Sequence, residues 1–516
     1  MQTEKEYIIG REINSLRCES IGEYSLPDYN GDVKKLLAVK TKVFPTGKFV
    51  GDEVLEFSGN VGYEVVYLDS ENTVTHAELT TDYEAAVRIN SESYVDSDIK
   101  TTVAGCNVRL VGPRKLSVKC SLDNDVCIAE RRTHTIEGDA FMEYEPETVS
   151  QTAMIFSPTF ATGETRELSE ELVRIEGAIA DEVEELLSDA RFELDSIETL
   201  EDAVRVKGSI VASALVKNID ESMRLVSKVM PYSEDLSLGD ADALDSLTSR
   251  VEVSGMKTSV NPLDDGVAIS VSLSLTPKIY GRRNCRLGLI TDSYLKERGT
   301  ENEYSDFNYT EHICTDTKED TLEVKRSLSE LGIEAKGDVI YAEAQARVEK
   351  CEILDNTVEI QGEIRFSGIA CEVIEGEAPI YAPVRFTVPF VENVNVNCQK
   401  HGNMRAFCAA NANNAKIYID ENNVSASTDL SLFVTLNTEK RQRCLGASYL
   451  TDEEYLRDPS VVTVYYPDAS ESLFSIAKRF HTSVAAIAES NRLTESVFAA
   501  SGEPIGTTNV RKLLIK

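Results

Sequence analysis

The sequence has no tryptophan and only five histidines in 516 residues. Imidazole is the side chain most used as a general base near neutral pH and as a metal ligand. Its scarcity leaves little material for the common hydrolytic triads or zinc centres. No apolar run reaches the roughly 18 residues a helix needs to cross a bilayer, so no membrane span is expected. Positive charge is also short: 53 Lys and Arg stand against 88 Asp and Glu, a net charge of −35. A field of that sign repels phosphate backbones and anionic lipid, which argues against nucleic acid as a partner. It suits a basic partner, or simply keeps the chain soluble. The 11 cysteines are odd in number and form no close-set ladder. A secreted disulfide scaffold is therefore not expected, and a reducing cytosol is. Met1 to Ile13 is charged and lacks the apolar core of a secretory signal, which points the same way.

Catalytic and metal motifs are equally scarce. No glycine-rich phosphate loop leads into a helix, and no nucleophile stands in a recognisable motif with a histidine or acid. Carboxylate pairs are uninformative in so acidic a chain; they read as solvated surface. The nearest approach to a metal cluster is Cys398, His401 and Cys408. A structural zinc usually needs four ligands in paired spacing, and here one Cys-x2-His pair lacks its partner pair. These read as loop residues with one buried thiol. Cys120 reads as a small hydrophobe in a core slot. No catalytic residue, metal or cofactor is expected.

What the chain does have is one stretch used three times. Val54 to Tyr67, Ala203 to Ala212 and Thr357 to Phe366 each alternate apolar and polar residues around a glycine: Gly59, Gly208 and Gly362. Period-two alternation marks a half-buried strand. A glycine weakens such a strand unless a bulge, a bend or a close backbone approach requires it. The three glycines lie about 150 residues apart, and an aromatic follows each: Tyr83, Tyr232 and Phe390. A later strand recurs as Val118–Leu122, Val271–Leu275 and Thr428–Leu432. Each unit closes on a short signature: Asp139-Ala140-Phe141-Met142, Asp292-Ser293-Tyr294-Leu295 and Ala447-Ser448-Tyr449-Leu450. Val33-Lys34-Lys35-Leu36-Leu37 matches Val183-Glu184-Glu185-Leu186-Leu187, without a clear third copy. A period of this size is domain-sized, longer than a solenoid repeat of about 20–50 residues.

The expected architecture is mainly β: three tandem antiparallel units, each a sandwich or a barrel-like fold, then a small α/β tail. An N-terminal segment at 1–30 ends in the turn-like Leu26-Pro27-Asp28, and the repeats follow at 31–150, 170–300 and 325–455. Within them, Val39 to Val50 reads as strand, turn and strand around Pro45-Thr46-Gly47. Val108 to Val118, Val251 to Leu275 and Ile417 to Leu432 read as hairpins. Pro158–Glu171 and Lys296–Thr321 read as linkers, and Glu182–Ala190 as a short helix.

Composition shifts after Pro459: residues 461–516 hold six Lys or Arg against five Asp or Glu. Val461–Tyr466 reads as a strand. Ser472 caps a helix carrying Leu473, Ile476, Ala477 and Phe480, Ser483 caps a second, and Leu513-Leu514-Ile515 closes as a strand. Leu473, Ile476 and Phe480 fill the buried stripe, which turns Phe474 partly outward as a contact candidate beside basic Lys478, Arg479 and Arg492.

This strand–helix–helix–strand tail (461–516) resembles a LysM domain. The resemblance rests on Tyr465, Ser470-Glu471-Ser472-Leu473, Ile476-Ala477, Phe480, Ile487 and Asn491. Ser470 stands where the family usually has glycine and Glu471 where it has aspartate. The resemblance implies binding of N-acetylglucosamine glycans of peptidoglycan or chitin, in a groove between the turn into the first helix and the loop after the second. The candidate groove residues are Ser470, Glu471, Ser472, Leu473, Phe474, Lys478, Arg479, Asn491 and Arg492. The three upstream units resemble the SPOCS (DUF3794) repeat, on the Pro-Asp lead-in, the glycine strand and the Leu-Ser-Leu strand. SPOCS repeats with a terminal LysM imply a spore-coat morphogenetic scaffold. Such a scaffold would sit in the mother-cell cytoplasm at the forespore surface and bind the coat-basement ATPase SpoIVA, with other coat proteins as further partners.

Overall fold

A computed structural model of the protein describes residues 4–27, 31–239, 241–375, 378–456, 461–493, 502–503 and 510–516. It is mainly β, with antiparallel sheets and a helical C-terminal module. Among the described residues the first unit has six strands: β1 (Glu4–Ser25), β2 (Val33–Val50), β3 (Val54–Asp69), β4 (Val74–Arg88), β5 (Tyr94–Gly112) and β6 (Lys115–Thr135); a one-turn helix, α1 (Ala140–Glu143), follows. The second has β7 (Glu147–Thr162), β8 (Arg166–Glu176), β9 (Glu184–Thr199), β10 (Ala203–Lys217), β11 (Met223–Ser237), β12 (Ser246–Leu263) and β13 (Gly266–Tyr294). The third has β14 (Arg298–Ser327), a one-turn α2 (Leu328–Leu331), β15 (Asp338–Ile353), β16 (Thr357–Glu372), β17 (Ile380–Asn395), β18 (Met404–Ile419) and β19 (Asn423–Glu454).

Each unit is two small sheets face to face, a sandwich and not a barrel. One sheet runs β2-β3-β4, β9-β10-β11 or β15-β16-β17. The other runs β1-β6-β5, β12-β13 with β7 and β8, or β14-β19-β18. The repeated stretches are the two central strands. Val61, Tyr63 and Val65 of β3 meet Val118, Cys120 and Leu122 of β6 in the first core. Ile210 and Ala212 meet Val271 and Leu273 in the second, and Ile364 and Phe366 meet Leu430 and Leu432 in the third. A central strand is flanked on both edges, so its sequence is the most constrained; that is why these strands carry the repeat.

The glycines have a contact reason. Gly59 pairs across the sheet with Tyr83, Gly208 with Tyr232 and Gly362 with Phe390. A Cβ on Gly59 would lie 2.5 Å from the Phe44 carbonyl and 2.6 Å from the Tyr83 ring. On Gly362 it would meet the Arg347 carbonyl at 2.2 Å and the Phe390 ring at 2.7 Å. On Gly208 the ring is Phe192 at 2.5 Å, itself edge-on to Tyr232. A ring laid over a strand glycine restores the packing surface that the missing side chain gives up.

Several segments differ from the sequence expectation. Residues expected as N-terminal segment and linkers are edge strands: β1, β7 with β8, and β14 each pair along β6, β13 or β19. Their polar composition is that of strands with one face in water. The helix expected at Glu182–Ala190 is a short 3-10 turn followed by β9. There tertiary pairing with β10 overrides acidic, leucine-bearing local preference. Val39–Val50 is not a hairpin but one edge strand with a register shift at Pro45, where an edge tolerates proline. The three closing signatures are not equivalent either, since the first caps and begins α1, the second ends β13 and the third lies within β19. Asp28 of the Pro-Asp lead-in lies outside the described residues. The three expected hairpins form as β5–β6, β12–β13 and β18–β19.

The sandwiches close on one another. Leu37, Val66 and Leu68 of the first, Leu187 and Leu215 of the second, and Tyr341, Ile369 and Tyr381 of the third share one core. Tyr341 thus supplies the third counterpart to the Leu-Leu pair that the sequence match lacks. Beside this core, Lys40 Nζ lies 3.0 Å from Asp189 and 3.2 Å from Glu343, one residue from each unit. At the far ends of the long strands Tyr7, Ile155, Leu289, Tyr309 and Cys444 form a second shared core. Between these ends the Glu12 carboxylate accepts from Tyr280 Oη at 2.5 Å, Arg282 Nη2 at 3.2 Å and Asn437 Nδ2 at 2.6 Å. Three like units around shared apolar and ionic centres make one interlocked trunk.

A junction between the first two sandwiches sets a pH dependence. His76 Nδ1 lies 2.9 Å from Glu184, which also takes Lys217 at 2.8 Å. Burial opposes both charges, but the histidine and lysine pull the Glu184 carboxyl down to about 2, and Glu184 holds His76 above its ordinary value. The glutamate's stabilising share is present above its usual 4.5 and is lost as pH falls towards about 2. The histidine's share is full below its usual 6.5 and is lost as pH rises through its raised value. The melting-temperature gap between the parent and Glu184→Gln should therefore be widest between these limits and shrink on either side. A pH-independent gap would remove the junction from the account.

Candidate functional site

The C-terminal module is built of β20 (Thr463–Tyr465), α3 (Leu473–Arg479), α4 (Val484–Asn491) and β21 (Leu513–Ile515). Both helices begin where serines place them. Ser472 Oγ accepts from Ser475 N at 3.0 Å in a reciprocal capping box, and Ser483 Oγ accepts from Ala486 N at 3.0 Å. Leu473, Ile476, Ala477, Val484, Ile487, Leu513 and Ile515 form the core, with Tyr465 and Phe480 packed against it. β20 and β21 pair antiparallel.

The candidate groove residues divide by role. Ser472 is a cap and Leu473 is core. Asn491 is a clamp: its amide donates to the Ile487 and Leu514 carbonyls and accepts from Leu514 N at 2.7 Å, fixing β21 to α4. Glu471 accepts from the Tyr465 hydroxyl at 2.7 Å and from Asp468 N at 3.0 Å, and pairs with Arg479 at 2.6 Å. Burial would raise its carboxyl, yet these three donors hold it below the ordinary range. Ser470 is exposed and has ordinary negative φ, so the turn forms without glycine. Arg492, also exposed, ends α4 in the left-handed region at φ 51°. The loop at 494–501 and 504–509, where the family groove would have its other wall, lies outside the described residues.

Phe474 and Lys478 correct the sequence reading. Phe474 is only 4% exposed and stands edge-on to Tyr294 of β13, with ring centroids 5.2 Å apart. The Tyr294 hydroxyl donates to the Thr482 carbonyl at 2.6 Å, and Lys478 Nζ meets both Asp292 oxygens at 2.7 and 2.8 Å. Tyr455, just past β19, stacks on His481 at 3.6 Å. These contacts fasten the module to the trunk. Helical periodicity turned Phe474 partly outward; the structure buries it between its own module and Tyr294 of the trunk. The partners Asp292 and Tyr294 were missed as docking residues, although their signature stood out as a unit ending. Lys478 and Phe474 are therefore spent on the dock, whereas Ser470, Arg479 and Arg492 face solvent.

The dock makes its own prediction. With both charges partly in water, the Asp292–Lys478 pair is worth about 1 kcal/mol. Asp292→Asn together with Tyr294→Leu should leave trunk and module folded but let the module tumble faster in NMR relaxation. Unchanged tumbling would mean the dock is held elsewhere.

An open cleft of about 500 Å3 beside the dock is lined by Gln151, Thr291, Asp292, Tyr304, Arg441 and Arg443. It offers amide, hydroxyl, carboxylate and guanidinium groups, without a histidine or thiol to act as base or nucleophile. Among the described residues no three His, Cys, Asp or Glu side chains gather as a metal site. Cys408 lies within β18, and both it and Cys398 pack on the core of the third sandwich.

Comparison with known protein families matches a LysM domain at residues 469–499. The match covers the capped turn, both helices and the segment after α4. No curated protein and no solved structure matches the chain.

Proposed function

We propose that the protein is a non-enzymatic binding scaffold, whose trunk holds a LysM module in fixed orientation, and that the module takes a polymer of N-acetylglucosamine such as peptidoglycan glycan. One observation carries this reading. The dock uses Phe474 and Lys478, while the turn Asp468 to Ser470 and Arg492 stay exposed. The face that grips the trunk is thus not the face where LysM domains take sugar. The Ser470 turn adds support, because its backbone needs no glycine.

The test is co-sedimentation of the full-length protein with purified sacculi. Chitin fragments should compete, and Ser470→Arg should weaken sedimentation at least tenfold without unfolding the module. Failure to sediment at low salt would sink the glycan reading.

A second reading makes the module a protein-binding one in a spore-coat scaffold, with SpoIVA as partner, in the mother-cell cytoplasm at the forespore surface. What favours it is the threefold recurrence of the glycine–aromatic pairing and the Leu-Ser-Leu strand, on which the SPOCS resemblance rests. A pull-down with full-length protein and with a version lacking 461–516 separates the cases. Capture of SpoIVA by the full-length chain alone supports a protein-binding LysM. Capture by both assigns the contact to the sandwiches, and capture by neither removes this reading.

A further inference from the structure

The cleft beside the dock lies where three parts of the molecule meet. The second sandwich contributes Gln151 of β7 with Thr291 and Asp292 of β13; the third contributes Tyr304 of β14 with Arg441, Gln442 and Arg443 of β19. Asp292 is also the residue that Lys478 of α3 grips, so the C-terminal module adjoins the cleft. Ligand pockets measure about 300–1,000 Å3 and favour domain junctions. This one has both properties, with its volume of about 500 Å3. Its charges are unequally spent. Lys478 Nζ meets both Asp292 oxygens at 2.7 and 2.8 Å, and the Tyr304 hydroxyl donates to Asp292 at 2.9 Å. Arg441 pairs with Asp306. Arg443 lies over the Tyr304 ring, 4.2 Å from its centroid, and has no carboxylate partner among the described residues. A guanidinium stacked in this way keeps its N–H edge free to fork a carboxylate. The amides are half spent as well. Gln442 Nε2 donates to Gln151 Oε1 at 3.3 Å, across the seam between the two sandwiches. That leaves the Gln151 N–H groups and the Gln442 carbonyl without partners among the described residues. One donor and one acceptor side by side are the complement of a peptide group.

We propose, resting on the peptidoglycan reading above, that this cleft is a second subsite, which takes the stem peptide of a glycan strand held by the LysM module. Arg443 binds a stem-peptide carboxylate, and the Gln151–Gln442 pair brackets a neighbouring peptide group. Peptidoglycan carries both groups. Chitin has the amides of its acetyl groups but no carboxylate, so the trunk adds a preference for peptidoglycan to the sugar site of the module. In a chain of net charge −35, an anionic ligand needs a place where the local charge is reversed. The cleft is such a place only because the module is docked. Bare, Asp292 would repel the incoming carboxylate; with Lys478 across it, Arg443 is left as the uncompensated charge. Docking thus orients the module and completes the cleft in one contact.

The experiment measures binding of the full-length protein to immobilised peptidoglycan strands, with stem peptides intact or removed by an amidase, and to chitin oligomers. The parent should bind intact strands about fivefold more tightly than stripped ones, the gain expected of one solvent-exposed charged contact. Arg443→Gln should erase that difference, and Gln151→Ala should at least halve it. Neither change should alter binding to stripped strands or chitin. Both side chains are exposed, so the fold tolerates the substitutions. Equal binding of the parent to intact and stripped strands, or a difference that either variant leaves whole, would overturn the subsite and leave the sugar reading standing. Binding to neither kind of strand would sink the sugar reading and the subsite with it.

Discussion

A chain with Lys40→Met is expected to unfold about 3 kcal/mol more easily than its parent, and to lose contact among all three sandwiches at once. Lys40 is the one cation in a buried triad with Asp189 and Glu343, its side chain 12% exposed. Burial works against its charge, but Glu343 and Asp189 hold its ammonium above the ordinary lysine value. Methionine matches the lysine stem in length and apolar character, so little packing is lost. What remains is two carboxylates that have lost the cation between them. Breaking a buried pair from one side costs about 3–5 kcal/mol, more than the pair itself contributes. The lower end applies, because Asp189 and Glu343 keep about a third of their side-chain surface in water. Chemical denaturation reads the loss. The triple change Lys40→Met, Asp189→Asn, Glu343→Gln should recover much of it. A Lys40→Met chain as stable as the parent would show that the triad is solvated and that the apolar core alone joins the sandwiches.

That triad also marks where sequence reading stops. The central strands were legible because both flanks and one face constrain them. Val61, Tyr63 and Val65 repeat as Ile210, Ala212 and Ala214 under the same requirement of burial. Edge strands answer to one neighbour and to water, so β7, β8 and β14 passed for linkers. Glu182–Ala190 passed for a helix because acids and leucines favour helices locally. Its Leu186 and Leu187 are in fact both buried at an irregular strand end, in the core where the sandwiches meet. The LysM module was legible almost to the residue, since caps, apolar spacing and the closing asparagine are all local signals. Its docking was not. Phe474 meets Tyr294 and Lys478 meets Asp292 across some 180 residues of chain, and nothing within either stretch encodes the other. Lys40, Asp189 and Glu343 were invisible for the same reason: a surface charge and a buried counter-charge look alike in sequence.

The glycines admit a sharper test, because the same substitution should cost much at one and nothing at another. Gly362→Val is expected to destabilise by about 3 kcal/mol, the upper part of the range for forcing carbon into a packed interior. The new Cβ would lie 2.2 Å from the Arg347 carbonyl on one side and 2.7 Å from the Phe390 ring on the other. A ring can swing away; a carbonyl held by the β15–β16 ladder cannot move without breaking strand pairing. Gly208→Val meets the Glu193 carbonyl at 2.3 Å and should cost nearly as much, and Gly59→Val meets the Phe44 carbonyl at 2.5 Å and should cost somewhat less. Gly105, also inside a strand, has nothing within 4 Å of where its Cβ would go. There valine should be neutral, or stabilise by about 0.4–1 kcal/mol by restricting the unfolded chain. Denaturant midpoints for the four variants give the comparison directly. If Gly105→Val costs as much as Gly362→Val, the penalty is a general loss of strand flexibility. The threefold glycine would then need an explanation other than the close approach of a neighbouring backbone. If the order is Gly362, Gly208, Gly59 and then Gly105, the repeat in the sequence is the imprint of one steric requirement met three times.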